Sequence, residues 1–490
     1  MVDLSEKCLD LLNGGNFEVR DPGPLHMPVY RLSIRRDENL RLIVTTEVPP
    51  NANLAWVMRP PGTVWISTEQ VLLSNPSGID AELSGVIPFE LSSFYNGSVT
   101  TMRRESAQIH IAKTHNPRRN PVSYVIDWLE NLPLKGLYWP TTSSECVVSA
   151  ESREGITLDD RITVWKRDGR LRYTQNTAKL NVEGFTFYVC ALHPEDRPGS
   201  IKPGCIIFVG NPNESFRRKV RTALSLALGR YLIYLGTTNY DGNWCIISTL
   251  AQSAYSMEKR FFDTPTELPA PMGPRFDGEL SPARLTRAVG AFMRDFEKLD
   301  LANLSWAYWH ACAASPHIAP VVFGAAIVAL QNTYLKSCPD AIRTCTVDPA
   351  VWKNIRRNLA TTIAGIEAPD EAKEAWKSKL DLLNRIDQRP RLRGLMEALG
   401  LELGEDEDAA WRRRNEAAHG TPVAEGEELA AIRDMKLLGG LFIRLLLRVT
   451  EAADQYFDRT TPNCPPRSLA EAPPNAPRTR AQHVRSFGRA

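Results

Sequence analysis

The sequence lacks the short motifs that mark most enzyme classes. There is no GxGxxG, no GxxxxGK[ST], no HExxH, no paired CxxC, no EF-hand loop and no GxSxG. These absences exclude the common dinucleotide and P-loop phosphate cradles, the zincin metal site, the calcium loop and the nucleophile elbow of α/β-hydrolases. Cysteine is thinly spread. Nine lie between Cys8 and Cys464, and the closest two, Cys338 and Cys345, are seven positions apart. An odd, scattered set reads as buried free thiols in a reducing compartment. The eight histidines, at 26, 110, 115, 193, 310, 317, 419 and 483, are too dispersed for spacing to indicate a metal site. No metal or cofactor is expected. His310 and His317, with Cys312 nearby, read as half-buried histidines on a helix.

An excess of one charge is also missing. With 59 basic and 57 acidic residues the formal net charge is +2. That balance excludes a protein that coats nucleic acid with its whole surface, so any polyanion site is local. Long apolar runs are absent too. The longest, 318–330, is too short to cross a bilayer and contains Pro320 and Gly324. LFIRLLLR, near 441, is broken by Arg444 and Arg448. The start, MVDLSEKCLDLLNGG, is charged and amphipathic, unlike a secretory leader. The expectation is a cytoplasmic protein with no membrane partner.

What is present has two textures. Residues 1–270 hold short apolar runs bounded by Pro, Gly or Asn, at 32–34, 42–46 and 63–66, and an alternating run at 106–112. Asp168-Gly169 in ITVWKRDGRLRYT is a hairpin signal, and Asp241-Gly242 in RYLIYLGTTNYDGNWCIIS is a second. Between them the pattern predicts a helix over 214–228 with Asn213 as its cap. A Pro- and Gly-rich stretch follows, TPTELPAPMGPRFDGELSP. Beyond it the periodicity predicts helices at 281–298, 303–314, 319–336, 348–366, 370–386, 390–399, 406–419 and 425–457. The expected fold class is therefore α+β and multidomain. It comprises a β-rich N-terminal domain over 1–270, a linker over 271–284, an all-α domain over 285–458 and a disordered tail over 459–490.

Function is concentrated in one predicted helix, GEDEDAAWRRRNEAAHG, residues 404–420. Its acids occupy the first turn, its arginines follow, and His419 sits in the last turn before Gly420. That order complements the helix macrodipole, and a solvated surface helix would share it. Yet Arg412, Arg413 and Arg414 are adjacent, and only Arg412 has an acid (Asp408) four residues upstream. At 100° per residue, Asn415 and His419 lie on nearly the same line, and Arg412 and His419 also nearly align. Arg414 lies further round but is long enough to border the same pocket. Ala417 and Ala418 keep the surface low for a neighbouring helix. Arg, Asn and His suit RNA cleavage, because RNA supplies its own 2′-hydroxyl nucleophile. Histidine moves the proton, and an arginine fork steadies the phosphate. One histidine does not conveniently serve as both acid and base, and a symmetric dimer would supply a second copy.

The run Arg414-Asn415-Glu416-Ala417-Ala418-His419, followed by a long apolar helix, resembles the Arg-x4-His signature of HEPN domains. With SWAYWHACAASPHIAPVVFGAAIVALQNTYL upstream and LLGGLFIRLLLRVTEAADQYFD downstream, the region is similar to bacterial HEPN proteins of ApeA type. The resemblance is firmest over 285–458. It implies a HEPN-like helical bundle and a metal-independent endoribonuclease, working as a HEPN homodimer in abortive infection against phage. Arg414 and His419 would be the catalytic pair, with Asn415 as a polar helper. Arg412 and Arg413, and Arg217, Arg218 and Lys219 near the start of the 214–228 helix, are candidate substrate-binding residues. Cations at a helix start oppose its dipole, which a phosphate-binding surface or a solvated basic face would each explain. With the basic loop HNPRRNP, they point to an N-terminal domain that senses a nucleic acid or a phage-derived trigger. Trp306 and Trp309 read as core packing, with base stacking the alternative. Related helical domains often carry an acid where this chain has Val328 and Gln331. HEPN domains without catalysis also exist, so the alternative is an inactive dimerisation or partner-binding module.

Overall fold

The computed structural model describes residues 7–50, 68–96, 99–116, 120–132, 143–147, 151–158, 162–168, 177–192, 202–254, 282–418 and 422–476. The chain divides into two compact units, residues 1–290 and 291–490.

Ten strands form the main sheet of the first unit, each antiparallel to its neighbours. In spatial order they are Glu18–Asp21, Gln70–Ser74, Asp80–Ser84, Ile111–His115, Ile246–Gln252, Ile233–Tyr240, Tyr124–Glu130, Gly204–Val209, Phe185–Ala191 and Thr177–Val182. Tyr124–Glu130 is buried at every position, so both of its faces are covered. Ile126, Trp128, Ile207 and Leu235 build the core on one side, and the Trp128 indole donates to Thr238 at 2.9 Å. A four-stranded sheet runs in the order Arg31–Arg36, Leu42–Val48, Val99–Ile109 and Ile87–Asn96. The alternating run 106–112 serves both sheets. Val99–Ile109 ends in the smaller one, and Ile111–His115 starts in the larger. A third sheet pairs Ser143–Val147, Glu151–Leu158 and Ile162–Asp168. Ile162–Asp168 pairs with the strand before it, and the other arm of the expected Asp168-Gly169 hairpin lies outside the described residues. So does the run at 63–66. The Asp241-Gly242 hairpin is present, with Asp241 accepting from the amides of Asn243 and Cys245, both at 2.9 Å.

Helix α1 (Lys7–Gly14) packs Cys8 and Leu12 against Ile34, Leu42 and Val71. Helix α2 spans Glu214–Leu228, capped by Asn213 accepting from the Phe216 amide at 2.8 Å. It ends at Gly229 with φ 62°, a conformation that needs no Cβ.

Helix α3 (Pro282–Arg294) crosses the division between the units. The second unit continues as a run of helices. These are α4 (Leu301–Ala313), α5 (Ala319–Ser337), α6 (Pro349–Gly365), α7 (Asp370–Leu383), α8 (Gln388–Ala398), α9 (Glu405–Ala418) and α10 (Glu428–Thr450). Helix α5 packs against α4, α9 and α10, while α6 pairs with α7 and buries none of its residues. Asp348 caps α6 by accepting from Ala350 at 2.8 Å.

The second unit departs from an all-α domain with a disordered tail from 459. Helix α10 stops at Thr450, where Glu451 turns left-handed (φ 58°), and Gln455–Phe457 pairs with Pro466–Ser468 as a two-stranded ribbon. Residues 459–476 lie on the helices. Leu469 is buried, Arg433 donates to the Pro474 carbonyl at 2.9 Å, and Tyr456 donates to the Glu471 carbonyl at 3.1 Å. Composition hid this because the segment is held mainly by arginines from the helices rather than by apolar residues of its own. Residues 477–490 lie outside the described residues. Among the described residues, no helix is long and apolar enough to cross a membrane.

Candidate functional site

Helix α9 is anchored at its start and bears its arginines near its end. Glu407, in the first turn, is buried and accepts from Arg444 of α10 at 2.8 and 2.9 Å. Arg444 is wholly buried and also donates to the carbonyls of Glu402 (2.8 Å) and Leu469 (3.1 Å). Burial pushes the Glu407 carboxyl up, against the pull of Arg444. Asp408 bonds Arg389 and Arg393 of α8. The Arg389 hydrogen bond holds the Asp408 carboxyl below the usual aspartate range, against the effect of burial.

The three arginines go three ways. Arg412 is exposed and stands 4.0 Å from Asp408. Arg413 grips Asp434 of α10 with a two-pronged bond, Nε at 2.7 Å and Nη2 at 2.5 Å. Arg414 folds back over its own helix. Its guanidinium lies 3.3 Å from the centre of the Trp411 ring and donates to the Trp411 carbonyl at 2.8 Å. Trp411 is buried, which makes it a fixed platform for the cation. Burial pushes the Arg414 guanidinium down to about 10, so it remains charged at neutral pH.

Helix α5 passes beneath Arg414 at Gly324. A Cβ on Gly324 would stand 2.5 Å from Arg414 Cδ and 2.6 Å from Nε. The bare backbone is what lets the guanidinium lie there. Neither Gly324 nor Trp411 was expected to take part in the site. The signal was the glycine itself, placed inside an apolar helical run where it costs helix stability.

Arg413 and Arg414 both line a pocket of about 240 Å³, walled also by Pro316, His317, Pro320 and Asp434. Asn415 and Arg412 are exposed and do not line it; Asn415 lies a further 100° round α9 from Arg414. His419 lies outside the described residues. His317, expected to be half-buried on a helix, is instead exposed in the turn between α4 and α5. His310 is the half-buried one. It stacks on Trp306 at 3.9 Å, with Nδ1 2.8 Å from the Trp306 carbonyl oxygen. Trp309 is core, while Trp306 is 60% exposed.

Arg217 does not present a phosphate-binding surface. It is buried and bonded to Asp127, Glu214 and Thr237, and Arg221 shares both carboxylates. Asp127, fully buried on Tyr124–Glu130, resolves the conflict with the helix dipole by supplying the negative charge from inside. Arg218 is exposed and Lys219 partly exposed. Three residues of the HNPRRNP loop, 117–119, lie outside the described residues. The described cysteines are free, three buried and the rest partly exposed.

Comparison with known proteins returns no match, whether to family models, to curated proteins or to solved structures.

Proposed function

We propose that this chain is a metal-independent endoribonuclease of HEPN type that acts in abortive infection against phage. The observation that carries the reading is Arg414, a charged guanidinium laid over Trp411 and Gly324 at the wall of a pocket. A phosphodiester in that pocket meets a preorganised planar donor, which steadies charge building on the phosphate in the transition state. Asp434 already neutralises Arg413, so Arg413 shapes the wall and Arg414 binds the anion. In this reading His419 transfers the proton of the 2′-hydroxyl, and Asn415 is its polar helper. Arg412 and Arg218 are exposed cations that would meet the RNA backbone, with the partly exposed Lys219 next to Arg218. The helical region forms a homodimer, and the N-terminal region senses a phage-derived trigger in the cytoplasm.

The test is degradation of total RNA by purified full-length protein in EDTA. Wild type is expected to cleave and to leave 2′,3′-cyclic phosphate ends. Arg414→Ala and His419→Ala are expected to lose about 100-fold or more of that rate, with the fold retained. Equal cleavage by all three proteins would refute the assignment.

A second reading has its own observation. The α6–α7 hairpin exposes Val351, Ile355, Ile366, Trp376 and Leu383, a surface suited to a protein partner. A non-catalytic partner-binding module would keep its biological effect in His419→Ala and lose it in Trp376→Ser.

A further inference from the structure

The α6–α7 hairpin is an arm clasped at its neck. The Thr346 amide donates to the Asn384 carbonyl at 2.8 Å, and the Ile386 amide donates to the Thr344 carbonyl at 3.1 Å. The Asn384 side chain is buried; it accepts from the Val347 amide at 2.7 Å and donates to the Val347 carbonyl at 3.0 Å. Beyond the neck α6 runs out, residues 366–369 turn, and α7 runs back. The two helices pack on each other, and α6 buries none of its residues. Two helices alone bury a single seam, yet a helix in a protein takes most of its stability from tertiary packing. Away from that seam the arm is still apolar. Val351 and Ile355 are four apart on one line of α6, and Trp376 and Leu383 are seven apart on one line of α7. All four are exposed, Trp376 by 42% and Leu383 by 63%.

The charges of the arm are sorted along its length. Glu367, Asp370, Glu371 and Glu374 lie at the tip, with Lys373 the one base among them. Lys353, Arg356, Arg357, Lys377 and Lys379 lie in the half nearer the neck, where the acids are Asp381 and the cap residue Asp348. The exposed pairs Lys373–Asp370 (3.9 Å) and Lys377–Glu374 (2.9 Å) still leave the tip net acidic and the neck half net basic. Two arms laid side by side in opposite directions bring each acidic tip onto the other's basic half. Laid in the same direction, they set like charges against each other. A helix of 17 residues is about 25 Å long, and two helices side by side are about 20 Å wide. Pairing two such faces removes roughly 1,000 Å² from water, the area at which specific interfaces begin.

We propose that the α6–α7 arm is the self-association surface of this chain, pairing antiparallel with the arm of a second copy about a two-fold axis to form a four-helix bundle. The partner of the exposed arm is then another copy of this chain. The inference specifies the contact for the homodimer of the ribonuclease reading, and it rests on that reading only for what the dimer serves.

The experiment is sedimentation velocity of the full chain from about 1 to 100 μM. Wild type should pass from monomer to dimer over that range, and added salt should weaken the dimer. Ile355→Ser combined with Trp376→Ser should raise the dissociation constant by about 10-fold or more. Its melting curve shows whether the arm is still folded. A tip variant (Glu367→Lys with Glu371→Lys) and a neck variant (Arg356→Glu with Arg357→Glu) should each stay monomeric. Mixed in equal amounts, they should form a one-to-one heterodimer, because each reversed end then meets its complement. Heterodimer formation also shows that both variants are folded. A wild type that is monomeric throughout overturns the proposal, even if the arm binds RNA or another protein. So does a dimer that the serine variant leaves unchanged, or tip and neck variants that fail to combine; the contact then lies elsewhere and the ribonuclease reading stands. A wild type that dimerises through the arm but cleaves no RNA removes the ribonuclease reading and leaves the arm contact.

Discussion

Arg444 and Glu407 show what single residues contribute. Arg444 sits in the middle of LFIRLLLR, where a charge breaks an apolar run. In the fold it is wholly buried and serves Glu407 and two backbone carbonyls. Its bonds tie α10, the start of α9 and the 459–476 segment into one network. Removing one partner of a buried pair leaves the other charge uncompensated. Arg444→Met should therefore destabilise the fold by about 3–5 kcal/mol, read as a shift in a urea unfolding curve. Adding Glu407→Gln should recover part of that loss, because the stranded charge disappears. A cost below about 1 kcal/mol for Arg444→Met would mean the network is not holding the segment. At the pocket the same contrast appears in reverse. Three adjacent arginines look alike in the sequence, yet one lies near a surface acid, one is locked to Asp434 and one lies on Trp411.

Among the elements, α5 decides the geometry of the site. Its Gly324 lies under Arg414, so the helix accepts a poor helix former to let a cation approach. Gly324→Ala gives the helix about 0.5–1 kcal/mol in propensity but pushes Arg414 off its seat. Stability should change little, because the gain is offset by weaker stacking on Trp411. Cleavage should fall by about 100-fold, since a displacement near 1 Å from the reacting centre costs that much. Unchanged cleavage in Gly324→Ala would show that the position of Arg414 over Gly324 does not matter to function. Element extents were largely legible beforehand. Helix α2 begins and ends where Asn213 and Gly229 indicate, and α6 begins at Asp348-Pro349 as its cap residue dictates. The end of α10 was not. The sequence reading carries it to 457, past its last leucine at 447, whereas the stop comes from the left-handed Glu451 and the ribbon beyond it.

At the scale of the whole molecule, the helical unit is expected to lose stability in acid. The carboxyls of Asp406, Asp408 and Asp458 lie below the usual range. Burial raises those of Asp406 and Asp458, but hydrogen bonds outweigh it, from the Ala476 amide and Arg433 in one case and from Thr460, Thr461 and Arg467 in the other. At Asp408 the Arg389 bond is the largest influence. A depressed carboxyl stabilises the fold above its unfolded value, near 4, and that stabilisation is lost as pH falls through the lower folded value. Glu407 has the opposite sign and offsets part of the effect. The melting temperature should therefore drop between pH 5 and pH 2.5. Asp408→Asn should be less stable at pH 7, by about 1 kcal/mol for this partly exposed cluster, and show a shallower acid drop in melting temperature. An identical acid drop in Asp408→Asn would remove Asp408 from that account.

The sequence by itself determined the coarse order of an α+β region before a run of helices, the caps of α2 and α6, the Asp241-Gly242 hairpin, and the helix that carries the arginines. These depend on local periodicity and on backbone rules that act within a few residues. Tertiary structure alone decided that Arg217 turns inward to Asp127, that residues 459–476 are built into the helical unit, and that Gly324 meets the arginine helix. Those outcomes depend on groups that are distant in the chain and become neighbours only when apolar helix and sheet faces are buried together.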